Sequence, residues 1–315
     1  MSRAFLFPGQ GAQTVGMGRD LAQAYPAARA VFEEVDEALG EKLSALIWEG
    51  DQDRLTLTEN AQPALMAMSM AVMAALEAEG VSIDAAAYVA GHSLGEYSAL
   101  AAAGAITVAD AARLLRTRGR AMQEAVPVGV GAMAAILGLD LEAVRKVAGE
   151  ASDGAHICEV ANDNDPAQVV VSGHREAVEK AVELAKAAGA RRAVVLPVSA
   201  PFHCSLMAPA AEVMAKALND VEIRRPKVPV VANVRAAAVD DPALIRALLV
   251  EQVTGMVRWR ESVMWMAAHG VTETWEIGAG KALSGMVRRI ERSIATRSVG
   301  TAEEVRAAAQ SLAQG

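Results

Sequence analysis

Five residues carry chemistry in their spacing: Gly91-His92-Ser93-Leu94-Gly95, a Gly-x-Ser-x-Gly pattern. A serine on a tight strand-to-helix turn is held in a strained backbone conformation, and only small neighbours let strand and helix pass so closely. Its hydroxyl then stands at the tip of a sheet, beside free N–H groups at a helix start. The flanks suit that arrangement. Ala86 to Ala90 reads as a buried strand, and Leu94 to Ala103 reads as a helix stopped by Gly104. The bland alternative is a glycine-bordered turn with a helix-capping serine.

A serine nucleophile needs a base, and the chain offers His92, His156, His174, His203 and His269. His92 adjoins the serine, so its ring should leave the elbow in another direction. His174 and His269 lie in polar contexts that read as surface, and His156 falls in a separate small domain. His203 follows a strand, in a turn-rich loop, in the chain order Ser…His. It is the candidate base; a capping or packed histidine is the other reading. No Asp or Glu stands out to orient it. A backbone or amide carbonyl can accept the imidazole Nδ1–H instead, which points away from an ordinary esterase. Val108 to Ala125 reads as a helix bearing Arg113, Arg116, Arg118 and Arg120. Arg118 is three or four residues from Leu114, Leu115 and Met122, near the apolar side. A buried arginine needs an anion, either a structural carboxylate or a substrate.

The elements that position these residues read as follows. Ala4 to Phe7 is a strand running into Pro8-Gly9-Gln10-Gly11-Ala12-Gln13. This loop lacks a Gly-Lys-Ser/Thr ending and dinucleotide spacing, so it reads as backbone N–H groups brought near a ligand, or as an ordinary turn. Asp20 to Leu39 and Thr58 to Gly80 are helical, the second with Pro63 in an early turn and methionines 66, 68, 70 and 73 facing the core. Gln62, at its front, faces a site or solvent.

From Pro127 the texture changes. Val130–Leu137 is a strand, Asp140–Glu150 a helix, and Ile157–Ala161 and Gln168–Ser172 are strands around the turn Asn162-Asp163-Asn164-Asp165-Pro166. A helix over His174–Ala188 and a strand over Ala193–Val198 complete β-α-β-β-α-β, the ferredoxin-like order. The expectation is a large subdomain in two parts, 1–126 and 199–315, with a small one inserted at 127–198. Ser199-Ala200-Pro201-Phe202-His203-Cys204 returns the chain to the large subdomain. Helices over Ser205–Leu218, Pro242–Gln252, Glu261–His269 and Ala282–Arg292 follow, with strands over Val228–Ala232 and Thr272–Ile277 and a peripheral helix within Thr301–Gly315.

Composition narrows the classes. Of 315 residues 53% are hydrophobic, which describes a globular chain, and the net charge of -8 argues against general nucleic-acid binding. Two cysteines, Cys158 and Cys204, fit a reducing cytosol. The apolar part of the N-terminus is too short for a signal peptide. The most apolar run, Ala61 to Leu76, contains Gln62, Pro63 and Ser69 and falls short of the ~20 residues a membrane span needs. The reading is a cytoplasmic monomer with no membrane or nucleic-acid partner.

Taken together, Phe7-Pro8-Gly9-Gln10-Gly11, Gln62-Pro63-Ala64-Leu65, Gly91-His92-Ser93-Leu94-Gly95-Glu96, Arg118-Gly119, Gln168-Val169-Val170 to Ser172-Gly173, and His203 resemble, in order and spacing, the bacterial malonyl-CoA:acyl carrier protein transacylases. The resemblance covers almost the whole chain. It implies an α/β-hydrolase-like large subdomain with a ferredoxin-like insert. It implies Ser93 as acylated nucleophile, His203 as general base, and Gln252 as the residue whose main-chain carbonyl orients that base. By the same resemblance the backbone N–H groups of Gln10 and Leu94 form the oxyanion hole, and Arg118 clamps the malonyl carboxylate. Gln62, Asn162, His92 and Phe202 line the pocket. Phe202 stands where some bacterial members carry Ser, and related domains with Phe there prefer malonyl to methylmalonyl. Gly278-Ala279-Gly280 replaces a usual Gly-Pro-Gly. The implied partners are malonyl-CoA and an acidic acyl carrier protein, with no metal or cofactor. Docking on an acidic chain needs a local basic patch, for which Arg191-Arg192 and Arg288-Arg289 are candidates, as they are for a merely solvated surface. A serine hydrolase, an acyl-binding module and a polyketide loader are the competing readings.

Overall fold

The computed structural model describes residues 2–198 and 200–313. Ser199 of the loop before the candidate base, and Gln314 and Gly315 of the expected C-terminal helix, lie outside the described residues.

The large subdomain is built on a sheet of β1 (Ser2–Phe7), β2 (Tyr88–Gly91), β7 (Val230–Ala232), β8 (Ala237–Val239), β9 (Val271–Ile277) and β10 (Ala295–Val299). Their spatial order is β10-β9-β1-β2-β7-β8. All pairs are parallel except the β7–β8 hairpin at one edge. Both faces of β1 are covered, so its last four residues are all apolar and buried rather than alternating. The helix Thr58–Ala78 lies inside the main core, with Met66, Met68, Met70 and Met73 all buried. It is long and apolar enough to span a membrane, but 83% of its apolar window is covered by the rest of the protein.

The second sheet has the order β4-β5-β3-β6, from β3 (Gly131–Leu137), β4 (Cys158–Asp165), β5 (Gln168–His174) and β6 (Arg192–Val195), and every pair is antiparallel. The helices Leu141–Ala151 and Arg175–Ala187 pack on one face around their own core. This is the ferredoxin-like insert, and the two subdomains together make an α/β-hydrolase-like fold with a small second subdomain.

Several boundaries differ from the sequence reading. The helix expected over Asp20–Leu39 is two, Arg19–Ala24 and Pro26–Leu39, because Tyr25 is extended and Pro26 starts a new helix at its first position. Asn162 to Asp165 is not a turn. β4 runs through it, and only Pro166 and Ala167 make the reversal. These polar residues stay in a buried strand because the large subdomain satisfies them. Asp163 pairs with Arg260 at 2.9 Å, Asn164 with His92 at 2.8 Å and Asp165 with Arg289 at 2.8 Å. Backbone bonds from Asp163 N to Val257 O and from Val257 N to Ala161 O, both 2.9 Å, fasten β4 to the large subdomain. The strand expected over Ala193–Val198 ends at Val195. Two short helices, Leu43–Glu49 and Gln52–Thr56, and the strands β8 and β10 were not foreseen.

Candidate active site

Ser93 sits between β2 and the helix Gly95–Ala102 with φ of 54°, a left-handed conformation rare for a side-chain-bearing residue. Both glycines are needed for close approach. A Cβ on Gly91 would lie 1.8 Å from the carbonyl oxygen of Gly95, and one on Gly95 would lie 2.2 Å from that of Phe7. The elbow is therefore wedged against the end of β1.

Ser93 Oγ lies 2.7 Å from His203 Nε2, and His203 Nδ1 lies 2.9 Å from the main-chain oxygen of Gln252. A carbonyl only accepts, so Nδ1 carries the proton and Nε2 is free to accept from the serine. His203 also has a positive φ, 57°. Its ring is buried, and burial, with the Arg118 charge as a second cause, pushes its pKa down to about 3. The imidazole is thus neutral at rest, as a base must be.

Arg118 is 1% exposed. Its helix, Val108–Glu124, approaches Thr58–Ala78 at Gly119, where a Cβ would stand 2.6 Å from Glu59 Cα. That close crossing brings Arg118 Nη1 to Gln62 Oε1 at 2.7 Å. Nη2 donates to Ser93 Oγ at 3.1 Å and to Gln252 Oε1 at 2.9 Å. Nε has no partner among the described residues. Arg116, by contrast, is taken up by Glu41 and Asn60. Arg118 is thus a desolvated cation held by neutral groups, with donors aimed at the nucleophile.

A cavity of about 370 Å³ opens over these residues, and a neighbouring one of about 480 Å³ shares Gln10, His92 and Asn162 with it. The first includes Phe202, Met122 and Met133, so its walls beyond the polar cluster are apolar. The backbone N–H groups of Gln10 and Leu94 meet no acceptor among the described residues. The structure therefore brings Ser93, His203, Gln252, Gln10, Leu94, Arg118, Gln62, Asn162, His92 and Phe202 to one place. His92 turns away from the nucleophile, as its adjacency suggests, and its Nε2 meets Asn164 Oδ1. Gln62 faces Arg118 rather than solvent. His174, expected on the surface, is half-buried, and its Nδ1 accepts the Ile157 N–H at 3.0 Å.

Two residues of the cluster received no role in the sequence reading, although Glu96 closes the motif quoted there. Asn233 accepts the Ser93 N–H at 2.8 Å, and Glu96 accepts from both Asn233 and Gln252. Each carried one faint signal: Asn233 is a polar residue directly after an apolar strand, and Glu96 is the one charged residue on its helix.

A serine bonded to a neutral histidine, beside unpaired N–H groups and a buried cation, on this fold, defines a serine acyltransferase. The chain belongs to the acyl transferase domain family, whose model matches residues 4–306. It is 48% identical over 309 residues to the malonyl CoA-acyl carrier protein transacylase of Bacillus subtilis, covering 98% of this chain and 96% of that one. It is 49% identical over 287 residues to the Escherichia coli protein of the same name, covering 91% and 92%. The crystal structure of an acyl-carrier-protein S-malonyltransferase from Bartonella henselae superposes with a TM-score of 0.97 at 54% identity, covering 99% of this chain and 100% of that one. A malonyl-transacylase in complex with a type II polyketide synthase acyl-carrier protein superposes with a TM-score of 0.95 at 41% identity, covering 99% and 100%.

Proposed function

We propose that this chain moves a malonyl group from malonyl-CoA to the phosphopantetheine thiol of an acyl carrier protein, supplying fatty acid elongation. One observation carries the substrate choice: Arg118 is buried, paired with no carboxylate among the described residues, and 3.1 Å from the nucleophile. A malonyl thioester brings the missing anion two bonds from the carbonyl that Ser93 attacks. A planar guanidinium matches a carboxylate through two parallel bonds.

The reaction runs in two halves. His203 Nε2 takes the Ser93 proton as Oγ attacks the thioester carbonyl. The oxyanion is held by the N–H groups of Gln10 and Leu94, each donor worth ~3 kcal/mol in such sites. The C–S bond breaks, and the CoA sulfur leaves with the proton from His203. The carrier thiol then gives its proton to His203 and attacks the malonyl-serine ester, and Ser93 Oγ leaves reprotonated. The Gln252 carbonyl keeps His203 in the required tautomer. Gln62 steadies the clamp, and the Phe202 ring takes up room in the cavity, which favours malonyl over an α-methylated group. Asn162 and His92 line the route shared by the two cavities. Neither half calls for a cofactor beyond the two thiol-bearing partners, and the working unit is a cytoplasmic monomer.

Docking of the carrier falls to exposed arginines. Arg289 Nε is engaged with Asp165 and Arg288 Nε with Thr296. Arg191 and Arg192, at the edge strand β6, are exposed.

Incubation with malonyl-CoA followed by intact-mass and peptide analysis tests the proposal. Malonylation confined to the Ser93 peptide, absent in Ser93→Ala and discharged by carrier protein, is the expected result. Release of malonate with no adduct would point to a hydrolase, and neither adduct nor turnover to a binding module. The complex with a polyketide carrier favours a second reading in which the same transfer loads polyketide synthesis. Comparing discharge by fatty acid and polyketide carriers separates the two.

A further inference from the structure

Beneath the elbow lies one carboxylate that the transfer chemistry does not use. Glu96 is 3% exposed, on the first turn of the helix Gly95–Ala102. Its Oε2 accepts the Asn233 backbone N–H at 3.0 Å and Gln252 Nε2 at 2.9 Å. Both partners reach onward into the site. Asn233 Oδ1 accepts the Ser93 N–H at 2.8 Å, and its Nδ2 donates to the Gly91 carbonyl at 2.7 Å, so one side chain staples both flanks of the elbow. Gln252 Nε2 also donates to the Ser93 carbonyl at 3.0 Å, while its Oε1 accepts from Arg118 at 2.9 Å. Gln252 therefore does two jobs with different atoms: its main-chain oxygen holds the base, and its amide bridges the clamp and the carboxylate.

We infer that Glu96 is a positioning residue that couples the nucleophile elbow to the carboxylate clamp through Asn233 and Gln252, and that it is the counter-charge of Arg118 at one amide's remove. A carboxylate in direct contact with Arg118 would occupy the donors that the substrate needs. With no carboxylate at all, the cation would be buried without compensation. An amide between the two charges meets both demands: its oxygen faces the guanidinium, its N–H faces Glu96, and its dipole lies favourably in the field of each. Of the titratable groups facing Glu96, Arg118 comes from the helix Val108–Glu124 and Tyr97 from its own helix. The turn after β7 and the helix Pro242–Thr254 present the neutral amides of Asn233 and Gln252. Burial raises the Glu96 pKa to about 7, and the donors from Asn233 and Gln252 and the Arg118 charge oppose that rise.

This rests on the acyl-transfer reading, so wild-type Ser93 malonylation is established first; its absence would sink that reading and not this one. Glu96→Ala is then compared with Glu96→Gln for kcat, KM and the malonyl-to-acetyl preference, with a denaturant midpoint for each. Displaced catalytic groups cost up to about 100-fold, so Glu96→Ala should lose about that much in kcat and several-fold in malonyl preference. Both bonds go to one oxygen, so the Gln variant can keep both and should recover most of the kcat, while the part of the malonyl preference that it fails to restore reads the lost counter-charge. Wild-type kcat and preference in a folded Glu96→Ala protein would overturn the proposal, as would a loss that Gln does not rescue and that leaves preference unchanged. Should Glu96→Ala fail to fold, Gln252→Ala serves. It keeps the carbonyl on His203 and removes the amide that joins Arg118, Glu96 and the Ser93 carbonyl, so unchanged malonyl preference there would equally overturn the coupling.

Discussion

Arg118 Nη2 lies 3.1 Å from Ser93 Oγ, and the hydroxyl accepts from the arginine while donating to His203 at 2.7 Å. Clamp and nucleophile thus touch before any substrate arrives. On the proposed reading, a malonyl carboxylate bound at Arg118 competes with the hydroxyl for Nη2.

Replacing the clamp should therefore change selectivity more than it changes chemistry. Arg118→Ala is expected to cut kcat/KM for malonyl-CoA by ~100-fold or more, in line with the loss of charge-assisted bonds of about 1.5–3 kcal/mol each. Acetyl-CoA, which leaves the wild-type cation unpaired, should become relatively better tolerated. Steady-state kinetics with both thioesters check this, and full malonyl selectivity in the variant would remove Arg118 from the role.

Two buried groups give opposite pH dependences of stability. The pKa of His203 falls to about 3 in the fold from a reference of 6.5, so the unfolded chain binds more protons below 6.5 and stability declines as the pH drops towards 3. The Glu96 pKa rises to about 7 from 4.5, so the folded state binds more protons in that interval and stability declines as the pH climbs from 4.5 to 7. Each slope is at most about 1.4 kcal/mol per pH unit. The two nearly cancel between 4.5 and 6.5. Urea unfolding of Glu96→Gln across that range should expose the His203 slope alone, with stability falling as pH falls. A curve as flat as that of wild type would contradict the assignment.

The elbow should tolerate no methyl group. Gly95→Ala would drive a Cβ into the Phe7 carbonyl, 2.2 Å away, and neither backbone has room to yield. A loss of about 3 kcal/mol or more is expected, since overpacking between two main chains exceeds the usual 1–3 kcal/mol for side chains. Unfolding midpoints measure it, and a near-neutral Gly95→Ala would mean that the strand and helix can part.

Charge reversal should separate the two thiol-bearing partners. Arg191→Glu with Arg192→Glu is expected to slow discharge to carrier protein while leaving acylation by malonyl-CoA intact. Arg288→Glu with Arg289→Glu should do the same more weakly, because Arg289 is already drawn to Asp165. Rapid-quench measurement of each half-reaction distinguishes them, and equal slowing of both halves would indicate CoA binding instead.

Much of this was legible in the sequence because it is local. The strand, the glycines and the helix around Ser93 are contiguous, and the insert announces itself by element order. What escaped depends on partners remote in the chain. Asn162 to Asp165 is four polar residues in a row, which reads as a turn. Only Arg260, His92, Arg289 and the Val257 backbone make a buried strand of it. Asn233 finds Glu96 across 137 positions, and no spacing rule reaches that far. β10, Ala-Thr-Arg-Ser-Val, lacks apolar alternation because most of this edge strand is only half-covered.

The pairing of β4 with Val257 also governs how the molecule can move. Main-chain bonds join β4 to the chain a few residues beyond Gln252, whose carbonyl meets His203 Nδ1. A hinge that swung the small subdomain open would pull on this seam and tug the histidine off line. These bonds tie the small subdomain to the segment that carries the partner of His203 Nδ1, so the relative placement of the two subdomains and the alignment of the base are linked.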